Sequence, residues 1–185
     1  LTLHDLLVGL MLPSGNDAAN ALARVIGERL PPDTGETPHD RFIQEMNNVA
    51  AELGMENTHL LHPAGLDREG QAVTARDMAV AAEALLGRPS PRPIVAMRQA
   101  EIRVSGEQPR VLTVENTNDL LVHDRVFGIK TGTTEEAGQC LVIAYRNGEE
   151  TYIGVILGSQ DRYGDARKLF GLSEPTPEPD DENPE

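Results

Sequence analysis

Hydrophobic positions along this chain change period, from helical spacing in the first half to near-alternation in the second, and this divides it into helices followed by strands. Leu6, Leu7, Val8, Leu10, Met11 and Leu12 form a run that is apolar on nearly all sides, which predicts a buried helix. Thr2-Leu-His-Asp5 has the form of a capping box at its start, and Pro13 ends it. Helical spacing resumes from Ala18 to Ile26 and stops at Gly27, so Ser14-Gly-Asn-Asp17 reads as a tight turn between two helices. Pro, Gly and Thr make residues 30–39 a loop. Asp40 is expected to cap a helix carrying Phe42, Met46, Val49, Ala50 and Leu53, with Gly54 just past its end. Residues 55–67 read as a long connection with strand-like fragments. Thr74-Ala-Arg-Asp77 is a second capping box, opening a helix through Met78, Ala81, Ala82, Leu85 and Leu86 that Gly87 closes; Pro89, Pro91 and Pro93 then predict a break in regular structure.

The second half reads as β structure. Residues 101–105 and 110–115 are expected to pair as a hairpin across Gly106–Pro109, and residues 116–123 form a turn or short helix. Three strands follow, beginning with Val126-Phe-Gly-Ile-Lys-Thr-Gly-Thr-Thr134 and continuing through residues 139–145 and 151–157. Asn147-Gly148 is a favoured turn between the last two. Residues 161–172 should form a closing helix. The expected fold is α+β, an antiparallel sheet packed with helices, with Lys130 on the first strand of a three-stranded meander.

Length and composition narrow the picture. The 185 residues suit one domain, residues 1–172, followed by a tail. Apolar residues make up 39% and aromatic residues 3%, so the core must be aliphatic. The formal net charge is −14, from 30 acidic against 16 basic residues, which argues against nucleic acid as a partner. Residues 173–185 concentrate Pro and acidic side chains without Lys or Arg, the composition of a disordered extension. The single cysteine, Cys140, excludes an intrachain disulfide and lies in a strand-like run where a buried, inert thiol is expected. His59 and His62 are too loosely spaced for a metal pair, and neither metal nor cofactor is expected. No apolar run approaches the ~18 residues of a membrane span, so membrane association is not visible in this sequence.

Lys130-Thr131-Gly132 is the stretch with candidate chemistry. Lysine supplies a point charge for a carboxylate, threonine donates a hydrogen bond to it, and glycine lets a substrate backbone lie flat along the strand. An exposed strand end leading into a turn fits the same letters. Ser14 and Asn16 similarly read either as helix-capping residues or as polar groups held beside a buried helix.

Taken together, these motifs resemble the penicillin-recognising serine enzymes. A Ser-x-Asn turn after a helix, followed by Lys-Thr-Gly on a strand, matches the second and third signatures of that group. Asp5-Leu-Leu-Val-Gly-Leu-Met-Leu-Pro-Ser-Gly-Asn-Asp-Ala-Ala19, Glu52-Leu-Gly-Met-Glu-Asn-Thr-His59, His62-Pro-Ala-Gly-Leu-Asp67, Thr74-Ala-Arg-Asp-Met-Ala79 and Gly128-Ile-Lys-Thr-Gly-Thr-Thr-Glu-Glu-Ala-Gly138 are similar to one branch. That branch is the serine D-Ala-D-Ala carboxypeptidases, the low-molecular-mass penicillin-binding proteins. The resemblance implies a β-lactamase/transpeptidase-like fold and removal of the terminal D-alanine from peptidoglycan stem peptides through an acyl-enzyme. It implies that Ser14 relays protons, that Asn16 holds the substrate amide, and that Lys130 and Thr131 grip the terminal carboxylate beside Gly132. The backbone N–H of Thr133 would be half of an oxyanion hole. Asp67 would sit near the cleft, and Arg162 would add charge for the carboxylate. β-Lactam antibiotics and peptidoglycan stem peptides are the implied ligands, and an exported location in the periplasm or cell envelope follows.

One departure matters. The group's first signature, Ser-x-x-Lys, carries the nucleophile and its base. Ser14, Ser90, Ser105, Ser159 and Ser173 are each followed three places on by something other than Lys. The sequence is therefore expected to be an N-terminally truncated part of a catalytic domain that lacks the nucleophile and is inactive alone. Weak thermal cooperativity is expected with it, from a sheet edge left uncovered. A non-catalytic penicillin- or peptidoglycan-binding module and a β-lactamase are the alternatives.

Overall fold

The computed structural model describes residues 1–31, 36–106 and 108–173. Apart from Ser173, the expected acidic tail lies outside the described residues. Capping sets the helix starts. In α1 (Leu3–Met11) and α3 (Pro38–Glu52), threonines at positions 2 and 37 accept from the backbone of Asp5 and Asp40, whose carboxylates bond back. Asp40 is thus the returning partner of the box, and Thr37 is the cap that Asp40 was expected to be. α2 spans Asn16–Gly27. At α4 (Ala75–Leu86), Thr74 caps as expected, but the other half of the box is absent. The buried Asp77 carboxylate instead takes the N–H of Asn57 at 2.9 Å and the hydroxyl of Thr58 at 2.8 Å.

The three prolines do not simply break structure. Pro91 starts a short helix, α5 (Pro91–Val95), because a first-turn proline has no N–H to lose. Its Ile94 and Val95 are fully buried. Strands β1 (Gln99–Val104) and β2 (Arg110–Glu115) pair antiparallel as a separate hairpin. A 3-10 turn (Asp119–Val122) leads to β3 (Val126–Thr134), β4 (Gly138–Asn147) and β5 (Glu150–Ser159). These form an antiparallel sheet in the order β3-β4-β5, closed by α6 (Arg162–Phe170).

Alternation along the central strand explains the layering. Leu141, Ile143 and Tyr145 pack with Leu120, Leu121 and Ala166 and with Phe170 of α6. Val142 and Ala144 point the other way, to Ala82 of α4, Val95 of α5 and Ile129. Residues 140–145 of β4 are therefore apolar without interruption because they are covered on both faces. A third cluster joins Val8 of α1 and Leu12, just past its end, to Ile94 and Ile102. α1 is less buried than its all-round apolarity predicts: Val8, Gly9 and Leu12 are buried, whereas Leu3 is 60% exposed. β3 lies at the edge of its sheet, next to the turn between α1 and α2, and this contact builds the site.

Candidate active site

The turn after α1 is held by close backbone packing. Gly15 N donates to Gly9 O at 2.9 Å, and a Cβ on Gly15 would lie 2.8 Å from that same carbonyl oxygen. Only glycine permits this approach, and Ser14 beside it has φ +59°, the left-handed region that non-glycine residues rarely occupy. Neither Ser14 nor Asn16 caps α2. The N-cap is Gly15, without a side-chain hydrogen bond, and Asn16 is the first helical residue. Left-handed strain at the half-buried Ser14 and the exposed side chain of Asn16 thus coincide at a turn where neither residue caps.

Across a cleft of about 630 Å³ lies β3. Lys130 Nζ donates to Ser14 Oγ at 2.6 Å and to the Thr131 carbonyl at 2.8 Å, so the turn and the strand meet directly. Ser14, Asn16, Lys130, Thr131, Gly132, Thr133 and Arg162 all line this cleft. Thr131 is buried, and its hydroxyl lies 2.6 Å from that of Thr117. Thr117 in turn bonds the Leu12 carbonyl through both its N–H and its hydroxyl, which ties the end of α1 to the strand. Arg162, the first residue of α6, reaches back over the sheet, with Nη1 on the carbonyls of Gly132 at 2.8 Å and Cys140 at 3.2 Å. Its Nε is buried with no hydrogen-bond partner among the described residues, a costly arrangement.

The electrostatics follow from burial. Removing the Lys130 ammonium from water, and secondarily the charge of Arg162, lowers its pKa from 10.5 to about 8. No carboxylate among the described residues forms an ion pair with either side chain. In a chain of net charge −14, two cations lining one cleft without acidic partners among the described residues make its potential locally positive.

Asp67 sits beside the cleft rather than in its lining. Its Oδ1 accepts from the Thr134 hydroxyl at 2.6 Å and so braces the end of β3. Thr117 escapes sequence reasoning, although the polar run Asn116-Thr-Asn ahead of an apolar pair is a signal for it. Met78 and residues 63–66, read as core and connection, form the opposite wall. Cys140 is half-buried rather than buried. Among the described residues, no cluster of three or more metal-ligating side chains occurs, and no helix is long and apolar enough to cross a membrane.

Helices on both faces of an antiparallel meander, with a serine-bearing turn set against a Lys-Thr-Gly edge strand, define the transpeptidase-like class of serine enzymes. The profile of the D-alanyl-D-alanine carboxypeptidase family matches residues 1–161. The D-alanyl-D-alanine carboxypeptidase DacF of Bacillus subtilis is 33% identical over 160 residues, covering 86% of this chain and 38% of that protein. The D-alanyl-D-alanine carboxypeptidase of Streptomyces sp. strain K15 is 35% identical over 180 residues, covering 92% of this chain and 60% of that protein. The crystal structure of the Streptomyces K15 DD-transpeptidase superposes with a TM-score of 0.85 at 34% identity, covering 93% of this chain and 67% of that one. The chain belongs to the D-alanyl-D-alanine carboxypeptidase family. It spans between 38% and 60% of the length of these two relatives.

Proposed function

We propose that this chain forms the carboxylate-gripping side of a serine-type D-Ala-D-Ala carboxypeptidase that trims the terminal D-alanine of peptidoglycan stem peptides. The supporting observation is the juxtaposition of Lys130, Thr131 and Arg162 around one cleft, with no acidic partner for either cation among the described residues and with Ser14 at 2.6 Å from the ammonium. In this reading Lys130 and the Arg162 guanidinium attract the terminal carboxylate, and the Thr131 hydroxyl turns its proton from Thr117 to the carboxylate and so fixes its direction. The Thr133 N–H polarises the scissile carbonyl as half of an oxyanion hole, a contribution of ~3 kcal/mol to the barrier. Asn16 holds the substrate amide. Ser14, bonded to a lysine whose pKa is lowered to about 8, passes a proton to the departing amine. The leaving group is D-alanine, and water then cleaves the acyl-enzyme.

None of the five serines begins a Ser-x-x-Lys, so the acylating serine is assigned to a part of the whole protein outside these 185 residues. β-Lactams, which carry a carboxylate close to a strained amide, fit the same grip. The substrate implies an exported protein working in the periplasm or cell envelope.

The test uses the 185-residue chain directly. Acetyl-D-Ala-D-Ala should bind it, and the same dipeptide capped as its C-terminal amide should bind at least ~10-fold more weakly, because a charge-assisted contact is lost. Equal affinity for acid and amide would refute the grip. Fluorescent penicillin should leave no covalent label on the chain; stoichiometric labelling would place the nucleophile within it.

A further inference from the structure

We propose that Thr117 is a positioning residue of the carboxylate grip, with a hydroxyl that reverses direction. It accepts from Thr131 until a carboxylate takes the Thr131 proton, and then donates to Thr131 in return. This rests on the carboxypeptidase reading, which puts the terminal carboxylate at Thr131. Thr117 acts through that neighbour.

The frame around Thr117 aims its side chain. In Asn116-Thr-Asn118 both flanking amides are spent on structure. Asn116 Nδ2 donates to the Met97 carbonyl at 3.0 Å, and its Oδ1 accepts from Asn118 N at 3.0 Å. The buried Asn118 donates to the Gly128 carbonyl at 3.0 Å and accepts from Leu120 N at 3.2 Å. The Thr117 main chain is fixed as well. Its N–H reaches the Leu12 carbonyl at 3.1 Å, and its own carbonyl accepts from the Tyr163 hydroxyl at 2.5 Å. Tyr163 follows Arg162 in α6, and the Arg162 guanidinium carbon lies 5.4 Å from the centre of its ring. One aromatic side chain thus ties the Thr117 segment to the second cation of the cleft. Thr117 lines that cleft, and its hydroxyl is the part left to turn.

Proton count sets the direction of these bonds. The Thr117 hydroxyl has one proton and donates it to Leu12 O at 3.3 Å, so the 2.6 Å contact with Thr131 uses the Thr131 proton. A carboxylate only accepts, so Thr131 must turn that proton toward it. The short contact then survives only when Thr117 turns its own proton from Leu12 to the Thr131 oxygen. This exchange orphans nothing, because the Leu12 carbonyl keeps the Thr117 N–H. The bond given up is the longer of the two, and the one gained polarises Thr131 as a donor. Leu12 ends α1 two residues before Ser14, where helix carbonyls lack intrahelical partners. Carboxylate capture at β3 is thereby felt at the start of the turn that carries Ser14.

The experiment titrates the 185-residue chain, labelled with 13C at its leucine carbonyls, with acetyl-D-Ala-D-Ala. At saturation the Leu12 carbonyl resonance should move upfield, the direction expected when a carbonyl loses a hydrogen bond. Thr117→Ser keeps a hydroxyl and should keep that movement. Thr117→Val should lose it, whereas a merely structural threonine would leave the response intact. One neutral hydrogen bond is at stake, so affinity in Thr117→Val should fall by ~10-fold at most and saturation stays within reach. Thr131→Val removes the other end of the relay and should also silence Leu12; it decides the matter if Thr117→Val does not fold. A Leu12 movement of wild-type size in either valine variant, or a still Leu12 in saturated wild type, overturns the relay while leaving the carboxylate grip standing. Failure of the dipeptide to bind wild type overturns the carboxypeptidase reading and the relay with it.

Discussion

Lys130 should lose its proton near pH 8, where an ordinary lysine still holds one. Burial, then the nearby Arg162 charge, brings its pKa down from 10.5 to about 8. At roughly 1.4 kcal/mol per pH unit, folding disfavours the ammonium relative to the amine by ~3 kcal/mol. The sign follows from proton counting. Below pH 8 both folded and unfolded chains carry the proton, and the folded state bears the whole penalty. Between 8 and 10.5 the unfolded chain keeps a proton that the folded chain has released, so this group's contribution to stability rises with pH. The sequence makes the assay simple, because it contains two lysines, Lys130 and the 81%-exposed Lys168. With 13C-lysine labelling, one of the two Cε signals should inflect near 8 and vanish in Lys130→Met. Saturating acetyl-D-Ala-D-Ala should raise that inflection, because a bound carboxylate favours the ammonium, and affinity should fall as pH passes above it. Urea unfolding at pH 7.5 and 10 should show wild type gaining ~2–3 kcal/mol relative to Lys130→Met. Two inflections above pH 10 would refute the desolvation argument, whatever the peptide affinity.

Arg162→Leu should weaken acetyl-D-Ala-D-Ala binding by ~10-fold or more and shift the Lys130 inflection upward by removing a neighbouring cation, read by the same titration. Asp77→Ala removes the acceptor for Asn57 N and the Thr58 hydroxyl inside the fold; about 3 kcal/mol of stability should be lost in urea, and Asp77→Asn should recover part of it. Gly15→Ala brings a methyl to 2.8 Å from the Gly9 carbonyl, so it should cost ~1–3 kcal/mol and displace Ser14 enough to abolish the Ser14–Lys130 contact, seen as loss of peptide binding.

Where the sequence is legible, the signal is local. Threonine followed three residues later by aspartate marks helix starts because both hydrogen bonds of the box close within one turn. Asn147-Gly148 marks the hairpin, but the turn falls one residue later than expected: Asn147 still pairs with Glu150, and Gly148, at φ +63°, leads the two-residue turn Gly148-Glu149. The whole meander and its two buried faces follow from such periods. What escapes is decided by partners distant in the chain. Asp77 matches a capping box, yet Asn57 and Thr58 claim its carboxylate from about twenty residues away. The helix at Pro91–Val95 exists because Ile94 and Val95 fill space between α1 and the sheet, which no proline count reveals. Ser14 and Asn16 read equally well as caps, and only the left-handed backbone at Ser14 separates the two. Thr117 lies 14 positions from Thr131, and their bond depends on how the 3-10 turn feeds β3.

These misses share a physical cause, which also explains where function sits. A stable cleft would satisfy every donor and leave no charge dehydrated, yet this one keeps a lysine out of water, an arginine Nε without an acceptor, and a serine in the left-handed region. Each feature costs stability, and an anion entering between Lys130 and Arg162 would relieve the first by favouring the ammonium. Strain scattered through a structure would mark a poor fold. Here it converges on one volume, held by aliphatic packing on both faces of β4, so the cleft must be paid for by the core and repaid by its ligand.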